Sequence, residues 1–302
     1  GLEEIIKIIS KIPINVHAST ENWRLLEQEN PRLLDSIKIN SNIQIVRSLR
    51  AHALPSMFPE WFEYQFSRGM EDLSKLFPQE KISPTGYIPE RDVSMGIVDK
   101  IRERWPIVLI GDESCSTQYE YRENFVEGNF RQIRGKPSQG RNVLSILGYA
   151  NNSIPAVVLK DGEMRKSYTA MYREYSKPKD FISAAIKELG NADKRGEPVV
   201  VNFTDIEVPY VNAFNGQPRL DMLEQFITAI GDEIELVKLD SKIGEEISSF
   251  ANDSGLLYCV SPRVKGKWLS DERALGFLRD INNSLNKERI DLSLHAQVSD
   301  TF

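Results

Sequence analysis

Seven short apolar runs, at residues 12–16, 43–46, 85–89, 107–110, 156–159, 199–203 and 234–239, alternate with stretches whose apolar residues recur at three- and four-residue steps. Strand-sized runs separated by amphipathic helices leave few architectures open, and the simplest is a mainly parallel sheet with helices packed on it. The helical pattern is clearest over residues 62–77, 93–104, 181–189 and 220–230. Asp92 suits an N-cap and Pro178 a first helical position. Seven strands in this alternation predict a (β/α)7-type, incomplete TIM-like barrel over residues 1–240. Residues 241–302 read as a short C-terminal helical extension with helices at 243–250 and 271–286.

Residues 119–148 break the rhythm. Four glycines and four arginines, among them Gly128, Gly140, Arg131 and Arg141, interrupt any period. A long segment of this kind in a compact domain is usually functional, and it reads as an insertion over the barrel mouth that acts as a mobile lid.

Charge at the strand tips is the second constraint. The run Thr85-Gly86-Tyr87-Ile88-Pro89 delivers Glu90, and Val199-Val200-Val201-Asn202-Phe203-Thr204 delivers Asp205 and Glu207. Asp112 and Glu113 follow the run at 107–110, and Asp161 follows that at 156–159. Barrel enzymes carry their acid and base at the C-terminal ends of strands, so one rim is expected to hold Glu90, Asp112, Asp161 and Asp205. Rims are solvated and carry acids for other reasons too, which leaves the spacing alone undecided.

Composition narrows the partners. A formal charge of −6 over 302 residues argues against a general affinity for nucleic acid or an anionic membrane. The longest apolar runs are strand-sized, and the opening Leu2-Glu3-Glu4-Ile5-Ile6 is charged too early for a secretory signal and reads as an amphipathic helix. Cys115 and Cys259 are too few for a disulfide framework or a thiolate metal site, and a reducing, cytoplasmic setting is expected. The three histidines, His17, His52 and His295, lack metal-ligand spacing, so no metal or cofactor is expected, although Asp112 and Glu113 keep a carboxylate-metal site conceivable.

The order of motifs carries a resemblance. The segment Asn15-Val16-His17-Ala18-Ser19 is followed by Leu25-Leu26-Glu27-Gln28-Glu29-Asn30-Pro31, then by Ala51-His52-Ala53-Leu54-Pro55, residues 65–69, Gly86-Tyr87-Ile88-Pro89-Glu90 and Asp205-Ile206-Glu207. Over residues 12–240 this order resembles glycoside hydrolase family 57, the amylases, 4-α-glucanotransferases and one type of branching enzyme. The resemblance implies a retaining enzyme acting on α-glucans, with Glu90 as nucleophile and Asp205 as general acid/base, two carboxyls about 5 to 5.5 Å apart. It places His17 and His52 at strand ends facing the sugar, with Asp161 and Glu207 beside them, and the residues near the strand tips add Trp61, Tyr87, Arg91, Asp112 and Glu113 as further candidate substrate-binding positions. Arg91 beside Glu90 would favour the ionised nucleophile, and Tyr87 would offer an aromatic plane to a pyranose ring. The implied partner is an α-glucan or oligosaccharide, and a homo-oligomer is left open.

This chain also departs from the family pattern. No counterpart of the family's leading His-Gln-Pro strand is present in these 302 residues, and Lys160 stands where the family has arginine, keeping the charge and losing the bidentate fork. Two alternatives therefore stand beside the enzyme: a weak or inactive homologue that binds a glucan or a protein partner, and a carboxylate-metal deacetylase on a related barrel.

Overall fold

The computed structural model describes residues 1–52, 55, 61–89, 100, 104–111, 118–123, 131–136, 146–147, 156–159, 168, 171–172, 177–194, 201, 206, 208–211 and 219–242. Five strands, β1 (Ile14–Val16), β2 (Ile43–Arg47), β3 (Ile82–Tyr87), β4 (Ile107–Gly111) and β8 (Ala156–Leu159), pair in parallel in that order. A short antiparallel strand, β7 (Ile146–Leu147), finishes the sheet beside β8. A separate two-stranded antiparallel ribbon joins β5 (Gln118–Glu123) to β6 (Arg131–Lys136). Strands that follow chain order in parallel require crossovers, and helices α1 (Leu2–Ile9), α2 (Thr20–Glu29), α3 (Pro31–Ile39), α4 (Phe62–Leu76), α5 (Pro178–Lys194), α6 (Val208–Val211) and α7 (Leu220–Glu233) are described.

Local chemistry sets the helix starts. The Ser19 hydroxyl accepts from the Asn22 N–H at 3.3 Å to cap α2, and Asn30 Oδ1 accepts from the Leu33 N–H at 3.1 Å to cap α3, with Pro31 at its first turn. Pro178 opens α5 as its sequence position suggested.

The strands' two-residue period separates two faces. Ile14, Val16, Ile43, Ile45 and Ile82 join one apolar cluster with Ile5 and Ile9 of α1, Trp23 of α2, Leu34 and Ile37 of α3, Leu73 of α4 and Phe226 of α7. Burying each such large side chain contributes about 1.5 to 3 kcal/mol before entropy is counted. The opposite face carries Asn15, Gln44, Ser83 and Thr85, the last three buried.

That polar face explains one correction. Residues 234–239 were expected as a strand, and no strand forms there. The Leu239 N–H donates to Asn15 Oδ1 at 2.9 Å, and the Ser83 hydroxyl donates to the Leu239 carbonyl. Side chains of β1 and β3 thus take the backbone groups that a ladder would have used.

The segment 119–148 also differs from the expected loop. It contains most of the β5/β6 ribbon and all of β7, so its end belongs to the main sheet. The helices expected at 243–250 and 271–286, and nearly all of 93–104 and 199–203, lie outside the described residues. Among the described residues no helix is long and apolar enough to cross a membrane.

Candidate functional site

The C-terminal ends of parallel strands share one edge, and three neighbouring tips converge there. Continuing the parity of the polar face, β1 passes from Asn15 to His17, β2 from Gln44 and Val46 to Ser48, and β3 from Ser83 and Thr85 to Tyr87. These three side chains meet. His17 Nε2 lies 2.9 Å from Ser48 Oγ. The His17 and Tyr87 rings stand edge to face at 75°, centroids 4.7 Å apart, and Tyr87 is 8 % exposed. His17 also makes a hydrogen bond to the Tyr87 backbone.

Desolvation pushes the His17 imidazole down to about 3, aided by its electrostatic interaction with His52, while the bond to the Tyr87 backbone opposes the shift. His17 is therefore neutral at ordinary pH. A group whose native pKa lies below its unfolded value of 6.5 stabilises the fold above 6.5, and that contribution is lost as pH falls from 6.5 towards 3. The expected slope from this residue is up to about 1.4 kcal/mol per pH unit in that window. Denaturant unfolding at pH 6.5 and 5.5 checks it: wild type should lose more stability across the step than His17→Asn, and equal losses would show that His17 titrates alike in both states.

The stretch after β2 brings up His52 and is held on two sides. Thr20 N–H donates to the Leu49 carbonyl at 3.2 Å and Glu21 N–H to the Arg50 carbonyl at 2.8 Å, fastening it to the start of α2. From α4, the Gln65 carbonyl accepts from Arg50 N–H and Gln65 Oε1 from Ala51 N–H, both at 3.0 Å. The Arg50 guanidinium donates to the Tyr64 hydroxyl at 2.8 Å and lies 3.5 Å from Glu21 Oε2. Gly69 makes the approach feasible, because a Cβ there would stand 2.7 Å from Arg50 N and 2.8 Å from Ser48 O. His52 is consequently presented by a fixed loop, half-buried. Trp61 is half-buried immediately ahead of α4.

Among the expected site residues, the structure unites His17 and Tyr87, with His52 near enough to act on His17 electrostatically. Glu90, Arg91, Asp112, Glu113, Asp161, Asp205 and Glu207 lie outside the described residues. In the chain Glu90 and Arg91 follow Pro89 after β3, Asp112 and Glu113 follow Gly111 at the end of β4, Asp161 comes two positions after Leu159 at the end of β8, and Asp205 and Glu207 come after Val201. Ser48 is a site-supporting residue that no motif singled out, and Gln65 stands in the 65–69 segment of the resemblance without a role assigned to it there. Extending the alternation of β2 by one step past Arg47 would have found Ser48. Among the described residues no group of three or more His, Cys, Asp or Glu is arranged to hold a metal ion.

No family model matches the chain, and no curated protein matches it in sequence. Solved structures do. A 4-alpha-glucanotransferase from Thermococcus litoralis matches 97 % of this chain and 43 % of its own length, at 15 % identity and a TM-score of 0.54. An exo-type maltose-forming amylase from Pyrococcus sp. ST04 matches 82 % of this chain and 39 % of its own, at 11 % identity and a TM-score of 0.59. An alpha-amylase from Thermotoga maritima matches 92 % of this chain and 65 % of its own, at 13 % identity and a TM-score of 0.51. The chain thus spans about two-fifths to two-thirds of the length of these proteins, and what it has in common with them at such identities is the fold: helices on a sheet of mainly parallel strands.

Proposed function

We propose that the protein is a glycosidase-type enzyme acting on α-linked glucans, by hydrolysis or by transfer, with retention at the anomeric carbon. The observation that carries this reading is the convergence of His17, Ser48 and Tyr87 at the C-terminal strand edge, in a fold held in common with a glucanotransferase and two amylases. Tyr87 stands three positions before Glu90 in the chain, and fold likeness alone would not assign chemistry.

In this reading Glu90 attacks the anomeric carbon, and Asp205 protonates the leaving oxygen and then removes the proton from water or an acceptor hydroxyl. A charged Glu90 favours a protonated Asp205, since like charges in one site raise one pKa. Arg91 keeps Glu90 ionised. His52, Trp61, Asp112, Glu113, Asp161 and Glu207 bind the sugar, and Tyr87 offers the plane on which a pyranose stacks. Residues 1–240 form the catalytic-type unit, with 241–302 appended to it.

The test is turnover of malto-oligosaccharides, read as new reducing ends and as redistribution of chain length. Wild type is expected to be active, and Asp205→Asn to be slower by about 10²- to 10⁴-fold, the usual worth of a general acid. The deficit should shrink on glucosyl fluoride, whose leaving group needs little protonation. Binding of malto-oligosaccharide without turnover would replace this reading with that of a glucan-binding homologue.

A further inference from the structure

We infer that His17 is a doubly bonded pin that fixes Tyr87 at the candidate site, and that it offers no ring nitrogen to a sugar or a metal ion. This goes beyond the glucan-acting reading and borrows from it only the location of the site. It also reassigns His17, which the family resemblance places among the substrate contacts.

The argument rests on counting donors and acceptors. A neutral imidazole has one N–H and one lone pair. A backbone carbonyl only accepts, so the ring nitrogen facing Tyr87 carries the hydrogen. With Nε2 set 2.9 Å from Ser48 Oγ, the carbonyl falls to Nδ1–H, and Nε2 keeps its lone pair. The Ser48 hydroxyl must then be the donor. Both nitrogens are engaged, and the half-buried ring stands edge to face with that of Tyr87, centroids 4.7 Å apart. Burial and the neighbouring His52 keep the ring from taking the second proton that would turn Ser48 from donor to acceptor. The pin joins three successive strand tips, since His17 follows β1, Ser48 follows β2 and Tyr87 ends β3. Its effect on chemistry is indirect. It sets where the chain leaves β3 towards Glu90, and small misplacements of reacting groups carry large rate penalties.

The experiment uses the full chain labelled with ¹⁵N-histidine, where only three imidazoles contribute. Long-range proton–nitrogen spectra between pH 5 and 8, the window in which ordinary histidines titrate, should show one ring that does not titrate, protonated on Nδ1 and bare on Nε2. The signal should vanish in His17→Asn. Ser48→Ala should shift its Nε2 resonance and leave Nδ1 in place, and added maltotetraose should move neither. His17 titrating in that window, a proton on Nε2, or an Nε2 shift on adding the sugar would each overturn the inference. If Ser48→Ala does not fold, the wild-type spectrum decides alone.

Kinetics separate positioning from mere support. His17→Ala should lower kcat by up to about 10²-fold with KM little changed, and His17→Asn, which keeps a donor near the Nδ1 position, should recover part of the loss. A rise in KM at unchanged kcat would make His17 a sugar ligand after all. Should the chain bind and turn over no oligosaccharide, the proposed function fails, while the tautomer result still decides the pin.

Discussion

Replacing Glu90 by Gln is expected to remove turnover of malto-oligosaccharides by at least about 10⁴-fold, the scale on which losing a covalent nucleophile acts. The substitution is nearly isosteric, so binding of the oligosaccharide should survive it. The amide oxygen is a poor nucleophile, and no glycosyl-enzyme can form through it. Loss of the charge also frees Asp205 from the neighbour that favours its protonated form, so the residual rate should show a shifted acidic or basic limb in its pH profile. Equal rates for wild type and Glu90→Gln would remove Glu90 from the mechanism. A loss of binding along with the rate would show that the glutamate mainly holds the sugar.

The largest expected effect on stability belongs to Gly86, one position before Tyr87. A Cβ there would stand 2.1 Å from Cε3 of Trp105 and 2.3 Å from Cδ2, distances no packed side chain tolerates. Trp105 is fully buried, its indole N–H points at Met70 Sδ 3.1 Å away, and its ring lies 5.1 Å from that of Phe66. The indole has little room to retreat, and overpacking a core of this density costs about 1 to 3 kcal/mol, occasionally more. Gly86→Ala is therefore expected at or above the top of that range by denaturant unfolding. Gly86→Ala combined with Trp105→Phe should be less damaging than the two single changes added together, because the smaller ring removes the clash. A Gly86→Ala protein within about 0.5 kcal/mol of wild type, an ordinary surface-substitution effect, would show that the indole does not lie against this strand.

Much of the sheet is legible in the sequence because β1, β2, β4 and β8 fall on short runs rich in Ile, Val and Leu, the residues that fit a pleated, packed surface. The beginning of β3 is harder to see. Pro84 follows Ser83 and looks like a breaker, yet β3 starts at Ile82. The register between β2 and β3 explains the tolerance: Ile45 pairs with Ile82 and Arg47 with Gly86, so the ladder is irregular where the missing N–H of Pro84 falls. The reverse error occurs at residues 234–239, an apolar run whose Leu239 backbone groups are claimed by Asn15 and Ser83 from distant parts of the chain. In the β5 stretch, Tyr119 and Tyr121 alternate with charged residues as strand positions do, and the flanking glycines and arginines mask that period.

At the site, His17, His52 and Tyr87 stand out because histidine and tyrosine at strand ends are chemically conspicuous. Ser48 does not. Its importance depends on knowing that β2 ends at Arg47 and that the next position on the polar face meets His17, a matter of register that residue type alone does not disclose.

Covalent trapping tests the central claim most directly. Incubation of the wild-type chain with a mechanism-based glucosyl fluoride, followed by proteolysis and mass analysis of the peptides, should place one hexosyl adduct on the peptide that contains Glu90, with none formed by Glu90→Gln. An adduct on a different carboxylate, or a folded protein that turns over malto-oligosaccharides and is never labelled at Glu90, would contradict it.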